Sequence, residues 1–547
     1  MGERWYTEAV IYCLDVETFQ DSNDDGVGDF RGLMGRLDYL SRLGVTCIWL
    51  NPIHPTPSRD DGYDITDFYD VDPRLGSLGD FAELLHQCRN RGIRVILDLV
   101  VNHTSDQHPW FQSATSSKDS PYRDWFVWTD EEPSNRRQGM VFPGEQAETW
   151  TYHRKGGAWY YHRFYDFQPD LNVANPAVRE EIKKIAAFWL QLGVDGFRID
   201  AAPFIIELTE PGKDECPKDF PFLTELREHI QWRKGDAVLL AEANVEPSAL
   251  LQYFGDEGGS ANRLHMLFDF MLNGRLVLAL ARENPEPVID TLRDSPELPP
   301  SAQWATFLRN HDEIDLSRLT AEQRSDVFKA FGPDESMHLY ERGIRRRLAS
   351  MLGGDRRRIE LAYSLQFTLR GTPVLRYGEE IGMGEDLELP GRTAIRTPMQ
   401  WSFDDNGGFS AGEPIRPVIA SGPYGYKKVN VTEQRSDKNS LLAWFERMIH
   451  TLRESPEVGA GRCTILEHDL PASVLAHRAD GPSGTMLFVH NLGDADVCVD
   501  LSSLWPESNH PNQVFGDQDY QPVGKLDQLD VAGYGYRWIR LRRNPAA

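Results

Sequence analysis

The chain reads Val-Ile-Leu-Asp-Leu-Val-Val-Asn-His from Val95 to His103, an apolar run that ends in two polar residues. A short continuous run of branched apolar side chains is typical of a strand that is buried on both faces, as in parallel sheets. Seven further runs of this type alternate with stretches of helical character, which predicts strand and helix alternation. The eight predicted strands are residues 9–14, 45–50, 95–100, 196–201, 237–244, 264–270, 304–312 and 371–380. Together they predict an α/β fold, a closed (β/α)8 TIM barrel.

Two other parts of the chain depart from this alternation of strands and helices. Residues 104–172 are rich in Trp, Tyr and Ser and are too long for a simple connection, so they predict a subdomain inserted after the third strand. From residue 451 onward, short alternating runs predict a C-terminal antiparallel β-sandwich domain. We therefore expect barrel segments at 1–103 and 173–450, the inserted subdomain at 104–172 and the C-terminal β domain at 451–547.

The composition disfavours several classes of partner. The 84 acidic against 58 basic residues give a formal net charge of -26, which repels nucleic acid and anionic lipid surfaces. The first residues lack a basic region followed by an apolar one, and no stretch approaches the ~20 apolar residues of a membrane span. These features predict a soluble, cytoplasmic protein that acts on a small molecule.

Polar residues collect where the predicted strands end, and the carboxyl ends of barrel strands are where barrel enzymes place their chemistry. One such ending could equally be an ion pair in the core, but four on separate strands favour a site. No Ser-His-Asp or Cys-His order is evident, so paired carboxylates favour glycoside cleavage, in which one is the nucleophile and the other the acid. The strand-end residues are Asp98, Asn102, His103, Arg198, Asp200, Glu242, Asn244, Arg309, Asn310, His311 and Asp312.

The blocks 98–103, 196–200, Glu242 and 310–312 resemble the four signature regions of the α-amylase family, glycoside hydrolase family 13. The likeness is greatest to its bacterial trehalose synthase and α-glucosidase branch, covers most of residues 1 to about 450, and fades in the tail. Many members of this family are dimers or larger, so a homo-oligomer is an open alternative. The stretches that resemble the trehalose synthase branch are 60–64, 168–172, 343–348, 377–383 and 396–401.

The resemblance implies roles for the three carboxylates. Asp200 would attack the anomeric carbon, Glu242 would act first as acid and then as base, and Asp312 would hold the hydroxyls of the distorted sugar. Arg198, two residues before the nucleophile, would pair with Asp200 and favour its charged form.

The resemblance also implies residues that bind the substrate. His103 and His311 would hydrogen-bond one glucose ring, and Tyr63 would stack on its apolar face. Asp60 and Arg396 would form the pair that blocks the far end of the glucose pocket in exo-acting members. The positions expected to hold a second sugar are Asn244, Glu313 and Arg392.

Asp21-Ser-Asn-Asp-Asp-Gly-Val-Gly-Asp29 begins like a calcium loop, with oxygen ligands at alternate positions, but has Gly32 where an EF-hand has its glutamate. A turn that only caps the next helix would have the same composition. The resemblance implies a structural Ca²⁺, or Mg²⁺, held by Asp21, Asn23, Asp25, the Val27 carbonyl and Asp29. It implies a second Ca²⁺ held by Asn102, Asp170, Glu207 and the carbonyls of Phe204 and Ile205.

The fate of the glucosyl-enzyme depends on whether water reaches it. In the trehalose synthase pattern, a tyrosine four residues after the nucleophile and a glutamate five after the stabilising aspartate help to form a lid, whereas this chain has Phe204 and Ser317. We therefore expect a retaining enzyme that hydrolyses small α-glucosides such as trehalose or maltose, with some transglucosylation. Interconversion of maltose and trehalose is the alternative. An inactive sugar-binding barrel is a remote alternative, because all three carboxylates are present.

Overall fold

The structure, a computed structural model, describes residues 4–213, 215–255, 261–459, 462–467, 469–481, 484–504, 510–523 and 525–542. The strands before residue 170 are β1 (Ile11–Leu14), β2 (Cys47–Leu50), β3 (Arg94–Leu99), β4 (Trp128–Thr129), β5 (Trp150–His153) and β6 (Ala158–Tyr161). Those that follow are β7 (Gly196–Ile199), β8 (Val238–Ala241), β9 (Met266–Phe268), β10 (Gln303–Phe307), β11 (Ile314–Asp315), β12 (His338–Leu339), β13 (Gly343–Ile344) and β14 (Thr372–Arg376). The last are β15 (Arg462–Ile465), β16 (Val474–Gly481), β17 (Gly484–Asn491), β18 (Val497–Val499), β19 (His510–Gly516), β20 (Leu529–Val531) and β21 (Tyr536–Arg542).

Eight of these strands, all within the described residues, close a parallel barrel in the order β1, β14, β10, β9, β8, β7, β3, β2. Ile11 of β1 pairs with Val374 of β14 on one side and with Cys47 of β2 on the other, which closes the ring. Each barrel strand overlaps one of the eight predicted runs, so the predicted barrel is confirmed. Most strands are shorter than predicted: β1 and β2 begin two residues later, whereas β10 ends earlier because the polar residues 308–312 leave the sheet.

Helices connect the barrel strands and cover the outside of the barrel. The helix α5 (Pro176–Leu192) begins after Asn175, whose side chain accepts from the N–H of Ala177. It ends before Gly193, whose φ of 121° suits glycine. No helix in the described part of the chain is both long and apolar enough to cross a membrane. The helices are α1 (Phe30–Gly35), α2 (Leu37–Leu43), α3 (Leu78–Asn90), α4 (Pro109–Ser116), α5 (Pro176–Leu192), α6 (Ala202–Ile205), α7 (Phe220–Arg233), α8 (Pro247–Phe254), α9 (Phe270–Arg282), α10 (Glu286–Asp294), α11 (Ala321–Phe331), α12 (Leu348–Met351), α13 (Arg356–Thr368), α14 (Val431–Ser436), α15 (Leu441–Arg453) and α16 (Pro456–Gly459).

Side chains alternate between the two faces of each barrel strand, which decides what points into the barrel. In β1, Ile11 belongs to the core inside the barrel, whereas Tyr12 belongs to the core shared with the helices. In β7, Phe197 and Ile199 belong to the outer core, so Arg198 between them faces the interior. The alternation therefore brings a guanidinium into the barrel just below the strand ends.

Four smaller sheets lie outside the barrel in the described part of the chain. The inserted subdomain contains the antiparallel sheet β4-β6-β5, and the segment after β10 forms the sheet β11-β13-β12. The C-terminal strands form a five-stranded antiparallel sheet, β15-β16-β17-β21-β19, and the pair β18-β20. This part packs on α13, where Ser364 Oγ accepts from Trp538 Nε1 at 2.8 Å and lies 2.9 Å from His490 Nε2.

Candidate active site

A cavity of about 270 Å³ lies at the carboxyl ends of the barrel strands. Its volume is just below the ~300–1,000 Å³ of typical ligand pockets, so it suits a small substrate. Two of the predicted site residues, Arg198 and Arg396, are 1% and 2% exposed and support the residues around the cavity. The predicted catalytic and substrate-binding residues that line the cavity are Asp60, Tyr63, His103, Asp200, Glu242, Asn244, His311, Asp312, Glu313 and Arg392.

Arg198 brings three carboxylates together. Its Nη1 atom donates to Asp200 Oδ1 at 2.6 Å and to Asp98 Oδ1 at 2.9 Å, and its Nη2 atom donates to Glu242. One buried guanidinium therefore holds Asp200 and Glu242 side by side at the ends of neighbouring strands, β7 and β8. This is the arrangement that a retaining glycosidase needs, because its nucleophile and its acid act on the same bond.

Asp98 supports this arrangement from below, a role that sequence reasoning missed although it placed Asp98 at a strand end. It is 2% exposed and accepts hydrogen bonds from Arg198 and from the Tyr63 hydroxyl, the latter at 2.9 Å. Burial raises the pKa of Asp98 to about 7, against the attraction of Arg198. Asp98 thus links the guanidinium to the residues that surround the glucose position.

Glu242 is prepared to act as a proton donor. Burial, together with the negative charges of Asp200 and Asp312, raises its pKa to about 8, and the positive charges of Arg198 and Arg392 only partly oppose this shift. A carboxyl group with a raised pKa keeps its proton near neutral pH, as a general acid must. The hydrogen bond from Arg198 therefore orients Glu242 without cancelling the effect of burial on its pKa.

Three predicted glucose-binding residues form one connected group. The Tyr63 hydroxyl lies 2.7 Å from His311 Nε2, and the two rings are stacked with centroids 5.6 Å apart. His103 Nε2 lies 2.9 Å from the Tyr63 carbonyl oxygen. Burial lowers the pKa of His311 to about 3, so the Tyr63 hydroxyl contacts a neutral imidazole.

Asp312 is surrounded by two guanidinium groups and the His311 imidazole. Its Oδ1 atom accepts from Arg396 Nη2 at 2.9 Å and lies 3.1 Å from Arg392 Nη1, while Oδ2 lies 3.1 Å from His311 Nε2. Burial alone would raise the pKa of Asp312, but Arg392, His311 and Arg396 together hold it well below its usual range. Asp312 is therefore a fixed negative charge at the cavity wall.

The predicted pairing of Asp60 with Arg396 differs from the observed one. Arg396 Nη1 forms an ion pair with Asp61 at 2.5 Å, and its Nε atom donates to the His311 carbonyl at 2.7 Å. Asp60 instead lines the cavity and accepts from Gln168 Nε2 at 2.8 Å. Adjacent residues of this loop point in different directions, so Asp61 rather than Asp60 contacts the Arg396 guanidinium. That Asp60 and Arg396 bind the outer hydroxyls of a glucose stays a prediction.

The residues predicted to hold a second sugar lie on one side of the cavity. Glu313 Oε2 accepts from Arg392 Nε at 2.8 Å. Asn244 Nδ2 donates to Asp315 Oδ2 at 2.9 Å, and Asn244 Oδ1 accepts from Arg318 Nε at 2.8 Å. These contacts fix the side chains that are predicted to bind a second ring.

Phe142 and Phe164 line the cavity on this side, and Tyr165 and Tyr340 stack on Phe142. We call these four residues, which come from two separate segments, the aromatic wall. Phe142 stacks on Tyr340 with centroids 4.7 Å apart and on Tyr165 at 4.9 Å. The guanidinium carbon of Arg392 lies 4.9 Å from the Phe142 centroid. Sequence reasoning missed the wall, because one part belongs to the inserted subdomain and the other to the loop between β12 and β13.

Phe204 and Ser317, the two departures from the trehalose synthase pattern, both line the cavity. The Phe204 ring packs edge-on against Phe164 at 5.8 Å and lies beneath the Arg163 guanidinium at 4.6 Å. Ser317 is exposed and its N–H donates to Asp315 at 2.7 Å. Phe204 thus extends the aromatic wall, whereas Ser317 contributes little to closing the cavity.

The first predicted ion site, at Asp21–Asp29, has a suitable donor set. Asp21 Oδ1 accepts the N–H of Asn23 at 2.9 Å, and Asp29 Oδ1 caps α1 by accepting the N–H of Gly32 at 2.7 Å. Asp21 Oδ1 also accepts the N–H of Asp24, and Asp21 Oδ2 accepts from the N–H of Gly26 and from Ser410 Oγ, so an ion here would replace some of these hydrogen bonds. Ca²⁺ and Mg²⁺ prefer carboxylate and carbonyl oxygens of this kind. Because no three acidic, His or Cys groups within the described residues could share an ion, Asn and carbonyl oxygens would have to complete the site.

The second predicted ion site already contains protein cations. Glu207 forms ion pairs with Arg163 and with Lys218 Nζ, the latter at 3.4 Å. Asp170 Oδ1 accepts the N–H of Arg163 at 2.9 Å, and the Phe204 carbonyl accepts the N–H of Glu207 at 3.0 Å. This donor set does not fit a further cation in its present arrangement, and we propose no ion there.

Comparisons with known proteins agree with this geometry. The family model "Alpha amylase, catalytic domain" matches residues 13–331 and 338–461. The "Trehalose synthase/amylase TreS" of Mycolicibacterium smegmatis is 40% identical over 98% of this chain and 93% of its own length. The "Trehalose synthase" of Pimelobacter sp. is 39% identical over 99% of this chain and 97% of its own length. Among solved structures, α-amylase from H. orenii superposes with a TM-score of 0.79 at 28% identity, covering 98% of this chain and 99% of its own.

Proposed function

Because the chain belongs to the α-amylase family, glycoside hydrolase family 13, we propose that it interconverts maltose and trehalose by moving a glucosyl group within one closed site. The observation that carries the proposal is the aromatic wall beside the carboxylates, which can retain a released glucose. The trehalose synthase names of relatives about 40% identical over nearly the whole chain support the same reaction.

In the first step, a carboxylate oxygen of Asp200 attacks C1 of the glucose ring. The bond between C1 and the bridging oxygen breaks, and Glu242 gives its proton to that oxygen. The products are a β-glucosyl ester on Asp200, a free glucose and the Glu242 carboxylate. Because its pKa is raised, Glu242 still carries near neutral pH the proton that this step needs.

In the second step, the free glucose turns within the closed cavity and presents a different hydroxyl. Starting from maltose, the glucose leaves through O4 and returns through O1. Glu242 accepts the hydroxyl proton, the oxygen bonds to C1, and the ester bond breaks with its electrons returning to Asp200. Asp312, kept charged by Arg392 and Arg396, would stabilise the positive charge that develops on the ring in both steps.

Hydrolysis is the second candidate, and a specific observation favours it. Ser317 is short and exposed at the cavity wall, so water has a route to the ester that a longer acidic side chain would block. A mixed outcome, mainly transfer with some hydrolysis, follows from a wall that is closed by aromatic rings but open at Ser317.

The two candidates are separated by proton NMR of the protein with maltose and, separately, with trehalose. Interconversion with little free glucose supports the proposed function. Appearance of glucose alone from both sugars overturns it in favour of hydrolysis. The variant Asp200→Asn is the control, because neither product should form without the nucleophile.

We further propose that the loop Asp21–Asp29 binds one structural Ca²⁺ or Mg²⁺. A bound ion stabilises only the folded state, so millimolar Ca²⁺ should raise Tm by about 3 °C or more relative to EGTA-treated protein. The double variant Asp21→Asn with Asp25→Asn should lose this shift, and Asp67→Asn, which lies outside the loop, should keep it. Equal Tm values with Ca²⁺ and with EGTA would contradict the proposal.

A further inference from the structure

Residues 340–342 form the tip of the hairpin between β12 and β13. Tyr340 and Glu341 have positive φ angles of 53° and 60°, a conformation that residues other than glycine rarely adopt. The hairpin is anchored on the barrel side, because β13 pairs with β11, only a few residues after Asp312. The strained tip is thus held in a defined position over the cavity.

The tip meets the inserted subdomain across the mouth of the cavity. Arg342 Nη2 donates to the Val141 carbonyl at 2.9 Å, and Tyr340 stacks on Phe142. Arg342 and Val141 both line the cavity. The Tyr340 hydroxyl also lies 3.3 Å from the Tyr165 hydroxyl. Two segments from different parts of the fold therefore close the mouth through one stacked pair and two hydrogen bonds.

Arg342 also belongs to the side of the cavity that faces a second sugar. Its Nε atom lies 3.5 Å from Asp315 Oδ1, and Asp315 Oδ2 accepts from Asn244. Its guanidinium therefore completes a polar row with Asn244 and Asp315, on the wall that also contains Ser317.

We propose that Arg342 determines acceptor specificity: it closes the mouth and hydrogen-bonds the hydroxyls of the released glucose, so that this sugar rather than water attacks the glucosyl ester. The inference rests on the proposed function and names a residue for the second step. A guanidinium suits this task because it presents several donors in a fixed plane and stays charged. At the mouth of the cavity, Arg342 provides a long polar side chain that can close the opening. Phe204 has no polar group, and Ser317 is too short to do so.

The test is the partition between free glucose and the product disaccharide, measured by NMR in one reaction mixture. Arg342→Leu should raise the ratio of glucose to disaccharide about tenfold, the effect of one lost charge-assisted hydrogen bond. Arg342→Lys should raise it less, because the ammonium keeps one donor. Arg324→Leu, on α11 and outside the cavity lining, should leave the ratio unchanged. The ratio does not depend on the fraction of folded enzyme, so a general loss of stability cannot imitate the result.

An unchanged ratio in Arg342→Leu, with interconversion by the unaltered protein, overturns the inference and leaves the proposed function standing. If the unaltered protein makes only glucose from both sugars, the proposed function fails, and Arg342 is tested separately. In that case, 4-nitrophenyl α-glucoside serves as donor and added ¹³C-glucose as acceptor. A tenfold drop in transfer by Arg342→Leu supports the acceptor role, and an equal yield overturns it.

Discussion

Replacing Asp200 with Asn is expected to lower kcat/KM for maltose by at least ~10⁴-fold, because the amide cannot form the glucosyl ester. Asparagine has the size of aspartate and keeps an oxygen for Arg198, so the site should keep its shape. Arg198 also retains two carboxylate partners, Asp98 and Glu242. The loss should therefore lie in the chemical step and not in folding.

The controls for this prediction separate chemistry from structure. The melting temperature of Asp200→Asn should stay within a few degrees of the unaltered protein, and calorimetry should still detect maltose binding. Asp67→Asn, an exposed change of the same type, should keep full activity. Because an asparagine can deamidate back to aspartate, Asp200→Ala is the second variant. If Asp200→Asn and Asp200→Ala both kept more than a hundredth of the original activity, Asp200 would not be the nucleophile.

Replacing Glu242 with Gln should have an effect that depends on the leaving group. With maltose, kcat/KM should fall by about 10³-fold to 10⁴-fold, since the departing sugar needs a proton. With 4-nitrophenyl α-glucoside, formation of the ester should be much less affected, because nitrophenolate leaves without one. The ester should then accumulate, and mass spectrometry should detect the protein carrying one glucosyl residue.

The pH dependence tests the same assignment. Burial raises the pKa of Glu242 to about 8, so its acid form is present below that pH and is lost above it. The kcat/KM for maltose should therefore fall as pH rises through the raised pKa, and Glu242→Gln should lack this alkaline limb. Azide, a nucleophile that needs no base, should restore turnover of the aryl glucoside by the variant. Equal losses with both substrates and no rescue would contradict the role.

The barrel and its carboxylates could be predicted because both depend on local sequence. A strand buried on both faces is mostly apolar, so the predicted strand 95–100 coincides closely with the observed β3, Arg94–Leu99. Parallel strands all present their carboxyl ends to one edge, so Asp200, Glu242 and Asp312 had to meet once the topology was known. No long-range detail was needed for either conclusion.

The wall around the acceptor position could not be predicted in the same way. Tyr340 and Arg342 lie in a tip whose sequence has no Gly or Asn to indicate a positive φ, and their position depends on contacts with Val141 and Phe142, about 200 residues earlier. The choice of Asp61 over Asp60 as the partner of Arg396 likewise depends on how one loop turns. Such features result from tertiary packing and leave no periodic signal in the sequence.

The closure of the barrel between β1 and β14 also constrains how the chain folds during synthesis. Residues Ile11–Leu14 have no final partner on one side until Thr372–Arg376 have been made. At ~5–20 residues per second, a ribosome needs about 20 to 70 s to cover that distance. During this interval the first strand exposes an unpaired apolar edge, which is a hazard for aggregation. Pairing of β1 with β2 covers only the other side of the strand, so we expect this edge to stay open until β14 has been made.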